Sequence, residues 1–126
     1  MMSIEEQLRT LIARNYVKLL DQLATVTRLL DERDQGGTLR PGAIIEAQGL
    51  THQMKGAAGT IGFGAMGAAA AALDESLRML LARGRSIPAD QLKRPLALLA
   101  ALQRAAEETA PEKSSLYEAD LSQFAP

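Results

Sequence analysis

The sequence predicts an all-α protein, an antiparallel four-helix bundle with an extra N-terminal helical segment. Three observations predict it. Leucine and alanine dominate the apolar residues, and both favour helix. Apolar side chains recur at intervals of three and four, and no β-branched run alternates with period two, so no strand is expected. Glycine and proline then divide the chain into segments of helical length.

The first segment runs from about Ser3 to Glu32. Ser3 followed by Glu6 fits a capping box, which satisfies unpaired N–H groups at a helix start. Ile4, Leu8, Leu11, Ile12, Leu19, Leu20, Leu23, Val26 and Leu30 recur at helical spacing. Thirty residues is long for one helix in a small domain, and Arg14-Asn15 marks a plausible break. Gln35-Gly36-Gly37-Thr38 stops the segment, and Pro41-Gly42 marks the next start. The connection Asp34 to Arg40 is glycine-rich and somewhat long.

The second segment, about Gly42 to Ile61, ends at Gly62-Phe63-Gly64. The third, about Ala65 to Arg83, carries Leu73, Leu77, Leu80 and Leu81; its stretch Ala68 to Ala72 suits close packing against a neighbour. Gly84-Arg85-Ser86-Ile87-Pro88 is a loop. The fourth, about Ala89 to Thr109, carries Leu92, Leu96, Leu99 and Leu102. Pro95 has no N–H to donate, so it either kinks this helix or marks where its regular part begins. Residues 1–110 form the expected bundle, and the polar, unpatterned tail 111–126 is expected to be loose or to serve as an accessory contact.

Composition narrows the function. A length of 126 residues fits one domain with one core. A net charge of −1 gives no electrostatic footprint for nucleic acid. With no cysteine and one histidine, disulfides, thiolate catalysis and multi-histidine metal sites within the chain are excluded, so no bound metal is expected. No apolar run approaches the ~18 residues of a membrane span, and the start lacks the basic and apolar stretches of a signal peptide. The expectation is a soluble cytoplasmic protein. No glycine-rich nucleotide motif occurs, so any phosphorylation of the chain must come from another protein.

The one histidine, His52, lies in Thr51-His52-Gln53-Met54-Lys55-Gly56. Residues advance by about 100° on a helix, which sets Leu50, Met54, Ala57 and Ile61 roughly 140–200° from His52. With Ala47 and Ala58 on the flank they form the apolar stripe that buries, so His52 should face solvent. Gly49, Gly56, Gly59, Gln48, Lys55 and Ile45 all fall within about 60° of the imidazole. Each glycine inside a helix costs about 0.8–1 kcal/mol relative to alanine. Either these glycines clear space for a partner's active site, or they permit close helix packing. The histidine itself is either functional or incidental.

These residues resemble the histidine phosphotransfer (HPt) family. His52, Met54, Lys55 and Gly56, a glycine ten residues past the histidine (Gly62), an apolar residue fourteen past (Met66) and the apolar–acidic pair Leu73-Asp74 match its spaced pattern. Gly59-Thr60-Ile61-Gly62-Phe63 is also similar to the phosphotransfer domain that begins chemotaxis-type histidine kinases. The likeness covers roughly Leu8 to Ala106.

The resemblance implies a phosphoryl carrier, not an enzyme, in a two-component phosphorelay. His52 would accept the phosphoryl group through Nε2, from or for the aspartate of a response-regulator receiver domain, or from a histidine kinase. Lys55 would offset phosphoryl charge unless it is an ordinary solvated lysine. Gly56 would give close access, with Gly59 or Gly49 adding to it. Asp74 stands where glutamate is usual; the shorter acid is expected to reach the histidine's other nitrogen poorly or to be a solvated charge. Gln48 is a further candidate on the His52 face. Ile45 is a candidate docking contact unless it is buried under the N-terminal helix. Mg²⁺ would come with the receiver, since neutral imidazole and positioning are what this chain supplies. The rival implication is a docking or adaptor bundle that binds a receiver or kinase without transfer. The starting Met1 and the tail favour a free-standing chain, and a monomer is the simplest expectation.

Overall fold

A computed structural model describes residues 2–32, 37–83 and 87–117, and within them the protein is all-helical, packed as a four-helix bundle. The helices are α1 (Ile4–Asp31), α2 (Pro41–Thr60), α3 (Gly64–Leu81) and α4 (Lys93–Glu107). Single 3₁₀ turns stand before and after α4, at Ala89–Gln91 and Pro111–Lys113. In place of strands the described residues hold one isolated bridge, in which Leu39 and Ile87 exchange backbone hydrogen bonds of 3.1 Å in both directions. It clips the connection before α2 to the connection before α4. Residues 33–36 and 84–86 of those two loops lie outside the described residues.

The direction of packing is fixed by side-chain contacts. Gly67 at the start of α3 lies against Gly59 at the end of α2, while Asp74 further along α3 meets Gln48 earlier on α2. On the opposite side, the Gln103 amide of α4 donates to Thr27 Oγ1 late in α1, and the earlier Tyr16 hydroxyl donates to Thr109 O past the end of α4. Both pairs therefore run antiparallel.

Helix α1 is one uninterrupted helix of 28 residues. Ser3 Oγ accepts from Glu6 N at 3.1 Å, the capping half that the sequence predicted. The break expected at Arg14-Asn15 is absent, because neither residue removes an N–H or clashes with the preceding turn. Asn15 satisfies its amide on Leu11 O, one turn back. There is accordingly no separate N-terminal helical segment; the extra length is the first turns of α1. Their apolar residues are not all core, since Ile4 and Leu11 are about half exposed while Ile12, Leu19, Val26 and Leu30 are fully buried.

Pro95 falls at the third position of α4 and is buried. The first turn of a helix has no intrahelical use for a proline N–H, so Pro95 starts the regular helix instead of kinking it. The core joins Ile12, Leu19, Leu30, Ile44, Met54, Met66, Leu73, Leu77, Leu92 and Leu102 into one cluster. Each such side chain contributes about 1.5–3 kcal/mol by leaving water.

Over its first seven residues the tail packs on the bundle. Ser114 is buried and its hydroxyl donates to Ile61 O, while Ser115 N donates to Gly62 O at 3.0 Å. Arg9 stacks over the Tyr117 ring at 4.7 Å. Residues 111–117 are thus docked on the α2–α3 turn and on α1. Gly62 allows this closeness: its φ of +87° is left-handed, and a Cβ there would meet Ser114 Oγ at 2.7 Å. Residues 118–126, the rest of the tail, lie outside the described residues.

Candidate functional site

The buried face of α2 decides where His52 stands. Met54, Ala47, Ala58 and Ile61 are buried as the wheel predicts, but so are Ala43, Ile44 and Thr51, while Leu50 and Ala57 are only half-buried. The centre of burial is rotated to about 220° from His52, toward the edge that carries Lys55 and Gln48. Thr51 can join this face because its hydroxyl donates to Ala47 O at 2.7 Å. The rotation turns the His52–Gln48–Lys55 edge toward α3, with 51% of the His52 side chain still exposed.

What α3 presents there is Asp74. Expected to fall short or to be a solvated charge, it is 2% exposed and reaches His52: Oδ2 lies 3.2 Å from Nδ1. The shorter acid suffices because α2 and α3 approach closely. A Cβ on Gly67 would stand 3.3 Å from Gly59 N and 3.6 Å from Lys55 O, a crossing only a bare backbone allows without adjustment.

Four groups converge on the buried carboxylate. Gln48 Nε2 donates to Oδ1 at 2.8 Å and Arg78 Nε to the same oxygen at 3.0 Å. Lys55 Nζ stands 3.5 Å from Oδ2, beside the imidazole. Burial by itself would raise the acid's pKa. The hydrogen bonds from Gln48, His52 and Arg78, with the Arg78 charge, outweigh it and lower the pKa from 3.8 to about 2. Asp74 is therefore an anion at neutral pH, and an anion only accepts.

An ionised acceptor at Nδ1 favours the tautomer with the proton on Nδ1, which leaves a lone pair on Nε2. Nε2 has no protein hydrogen-bond partner among the described residues. Around the ring, a Cβ added at Gly49, Gly56 or Gly59 would meet nothing within 4 Å. These glycines leave open surface, and the helix-packing need falls on Gly67 instead. Ile45 is 57% exposed and is not covered by α1.

Sequence reasoning assigned Gln48 no chemistry of its own and missed Arg78 altogether. Arg78 follows Asp74 by four residues on α3, the spacing at which an acid and a base meet on a helix, so the signal was present. The site is a surface and not a pocket. A cavity of about 610 Å³ lies between α1 and α4, lined from Tyr16 and Leu23 to Gln103 and Ala106, and contains none of these residues. Among the described residues no three His, Asp or Glu side chains group to hold a metal ion, and no helix is long and apolar enough to cross a membrane.

Comparison with protein-family models, curated proteins and solved structures gives no match to this chain. The function is therefore argued from the site.

Proposed function

We propose that the protein is a phosphoryl carrier in which His52 Nε2 is the acceptor. At the level of class, it is a helical bundle presenting one nucleophilic imidazole braced by a buried carboxylate. At the level of role, it is a histidine phosphotransfer protein that exchanges its phosphoryl group with a receiver-domain aspartate or takes it from a histidine kinase. The observation that carries the reading is the division of labour between the ring nitrogens: Nδ1 lies 3.2 Å from buried Asp74, while Nε2 is left unpartnered on a half-exposed, glycine-bordered surface.

The chemistry follows from that division. The Nε2 lone pair attacks the phosphorus of a partner's acyl phosphate. The N–P bond forms as the P–O bond breaks, and the aspartate carboxylate leaves with the bonding pair. The ring keeps its Nδ1 proton and gains positive charge, which the Asp74 anion offsets at 3.2 Å. Return transfer reverses these steps. Lys55, held 3.5 Å from Asp74, stands beside the ring to balance phosphoryl oxygens. Gln48 fixes the carboxylate so that it does not swing away when the ring becomes charged. The divalent cation such transfer uses is expected with the receiver, because Asp74 already has its acceptor sites occupied by this chain's own donors.

The test is incubation with a panel of radiolabelled phospho-receivers. The chain should take up label that is acid-labile and alkali-stable, as a phosphoramidate bond is, and His52→Gln should take up none while keeping its helix content. Label retained by His52→Gln sinks the assignment. Binding to receivers with no uptake by the wild type would instead support the docking-bundle alternative.

A further inference from the structure

Two neighbours make opposite demands on one nitrogen of His52. Asp74 Oδ2, 3.2 Å from Nδ1, is an acceptor and needs the proton on that nitrogen. Arg78 Nη2, 3.0 Å from the same Nδ1, can only donate and needs a lone pair there. A neutral imidazole nitrogen supplies one or the other. Donation from Arg78 requires the tautomer with the proton on Nε2, which lacks the lone pair that attack at phosphorus requires.

The placement of Arg78 comes from its fork. Nε is fixed on Asp74 Oδ1 at 3.0 Å, and the rigid plane of the guanidinium then carries Nη2 to the ring. Its side chain is 54% exposed, so it can leave the ring without opening the core.

We propose that Arg78 is a positioning residue that competes with Asp74 for His52 Nδ1 and holds part of the resting protein in the unreactive Nε2–H tautomer. The competition lowers the reactivity of the unpartnered protein toward stray phosphoryl donors. A guanidinium drawn off by an incoming phosphoryl anion releases Nδ1 to Asp74 and restores the nucleophile. The consequence for reactivity rests on the reading of His52 as acceptor; the effect on the tautomer does not.

The experiment is ¹⁵N NMR of the His52 ring at a pH well above the ordinary imidazole range, on the wild type, Arg78→Ala and Arg78→Lys. Lysine keeps the charge and loses the fork. The wild type should show both ring nitrogens averaged between protonated and unprotonated positions. Both variants should shift about threefold to fivefold toward Nδ1–H, the size expected for one charge-assisted hydrogen bond at a half-exposed site. An unchanged ratio in Arg78→Ala overturns the proposal, and so does a wild-type ratio in Arg78→Lys, which would leave only the charge at work. Phosphorylation by phosphoramidate, which needs no receiver, should quicken in Arg78→Ala in proportion to the rise in the Nδ1–H fraction, a smaller factor than the change in the tautomer ratio. A slower rate overturns the restraint. No label on His52 in either protein, with the tautomer shift present, overturns the carrier reading while Arg78's control of the ring stands.

Discussion

Replacing Asp74 by asparagine isolates the charge at the centre of the site without changing its size. The carboxylate's pKa is about 2 against an ordinary 3.8. At 1.36 kcal/mol per unit, that difference corresponds to a ceiling of about 2.5 kcal/mol of folding stability. Two of the three donors that supply it are wet: the Arg78 and His52 side chains are 54% and 51% exposed, while Gln48 is half-buried. Solvent screening reduces the expected contribution to about 1–2 kcal/mol. The sign follows from the direction of the shift. A lowered folded-state pKa stabilises the protein fully above the unfolded-state value, and the stabilisation is lost as pH falls through 3.8 toward 2. Urea unfolding of the wild type and Asp74→Asn should therefore differ by about 1–2 kcal/mol at pH 5, and the gap should shrink to roughly a third by pH 2.5. Every other carboxylate titrates in both proteins and cancels. A gap that stays constant between pH 5 and pH 2.5 would show that Asp74 acts through shape and not through charge, and the electrostatic account of the site would fall with it. The same variant should lose phosphoryl uptake far more than it loses stability, because asparagine cannot offset the charge that develops on the ring.

The glycines separate by partner. Gly56→Ala should stabilise the protein by up to about 0.8–1 kcal/mol, since the added Cβ meets open space, and a lower urea midpoint would refute that. Gly56→Phe should keep the helix content by circular dichroism yet block transfer from a phospho-receiver; a normal transfer rate would refute steric access. Gly67→Val should destabilise by about 1–3 kcal/mol in the same unfolding assay, because its side chain must displace the backbone of Gly59 and Lys55.

How much of this was legible in the sequence depends on whether a feature is carried by one helix or by two. Ser3 as a cap, the apolar repeats, the start at Pro41 and the stop at Gly62 are properties of a single segment, and they predicted the helices to within a few residues. The wheel also set His52 opposite the apolar residues of its own helix. Long-range placement was not legible. The break at Arg14-Asn15 was inferred from length alone, whereas length is permitted here because Ile12, Leu19, Val26 and Leu30 pack along the bundle. The docking of residues 111–117 depends on the left-handed turn at Gly62, which brings Ile61 O and Gly62 O within reach of two serines that carry no pattern of their own.

Asp74 is the case in which these two kinds of information meet. On the α3 sequence it is a charge that follows Leu73, and charges of that kind are ordinarily solvated. Its burial is decided by how α3 meets α2: the rotated apolar face, the close crossing at Gly67 and the amide of Gln48 together make a place where a carboxylate is out of water but not out of hydrogen bonds. A buried charge survives only with such donors, and removing one leaves the others facing an uncompensated anion. Three of the four groups held to Asp74, namely Gln48, Lys55 and His52, come from α2, and the fourth, Arg78, comes from its own helix. The carboxylate therefore ties the histidine's orientation to the packing of α2 on α3. A change as remote as Gly67→Val should disturb the ring through this link, even though Gly67 touches neither His52 nor Asp74.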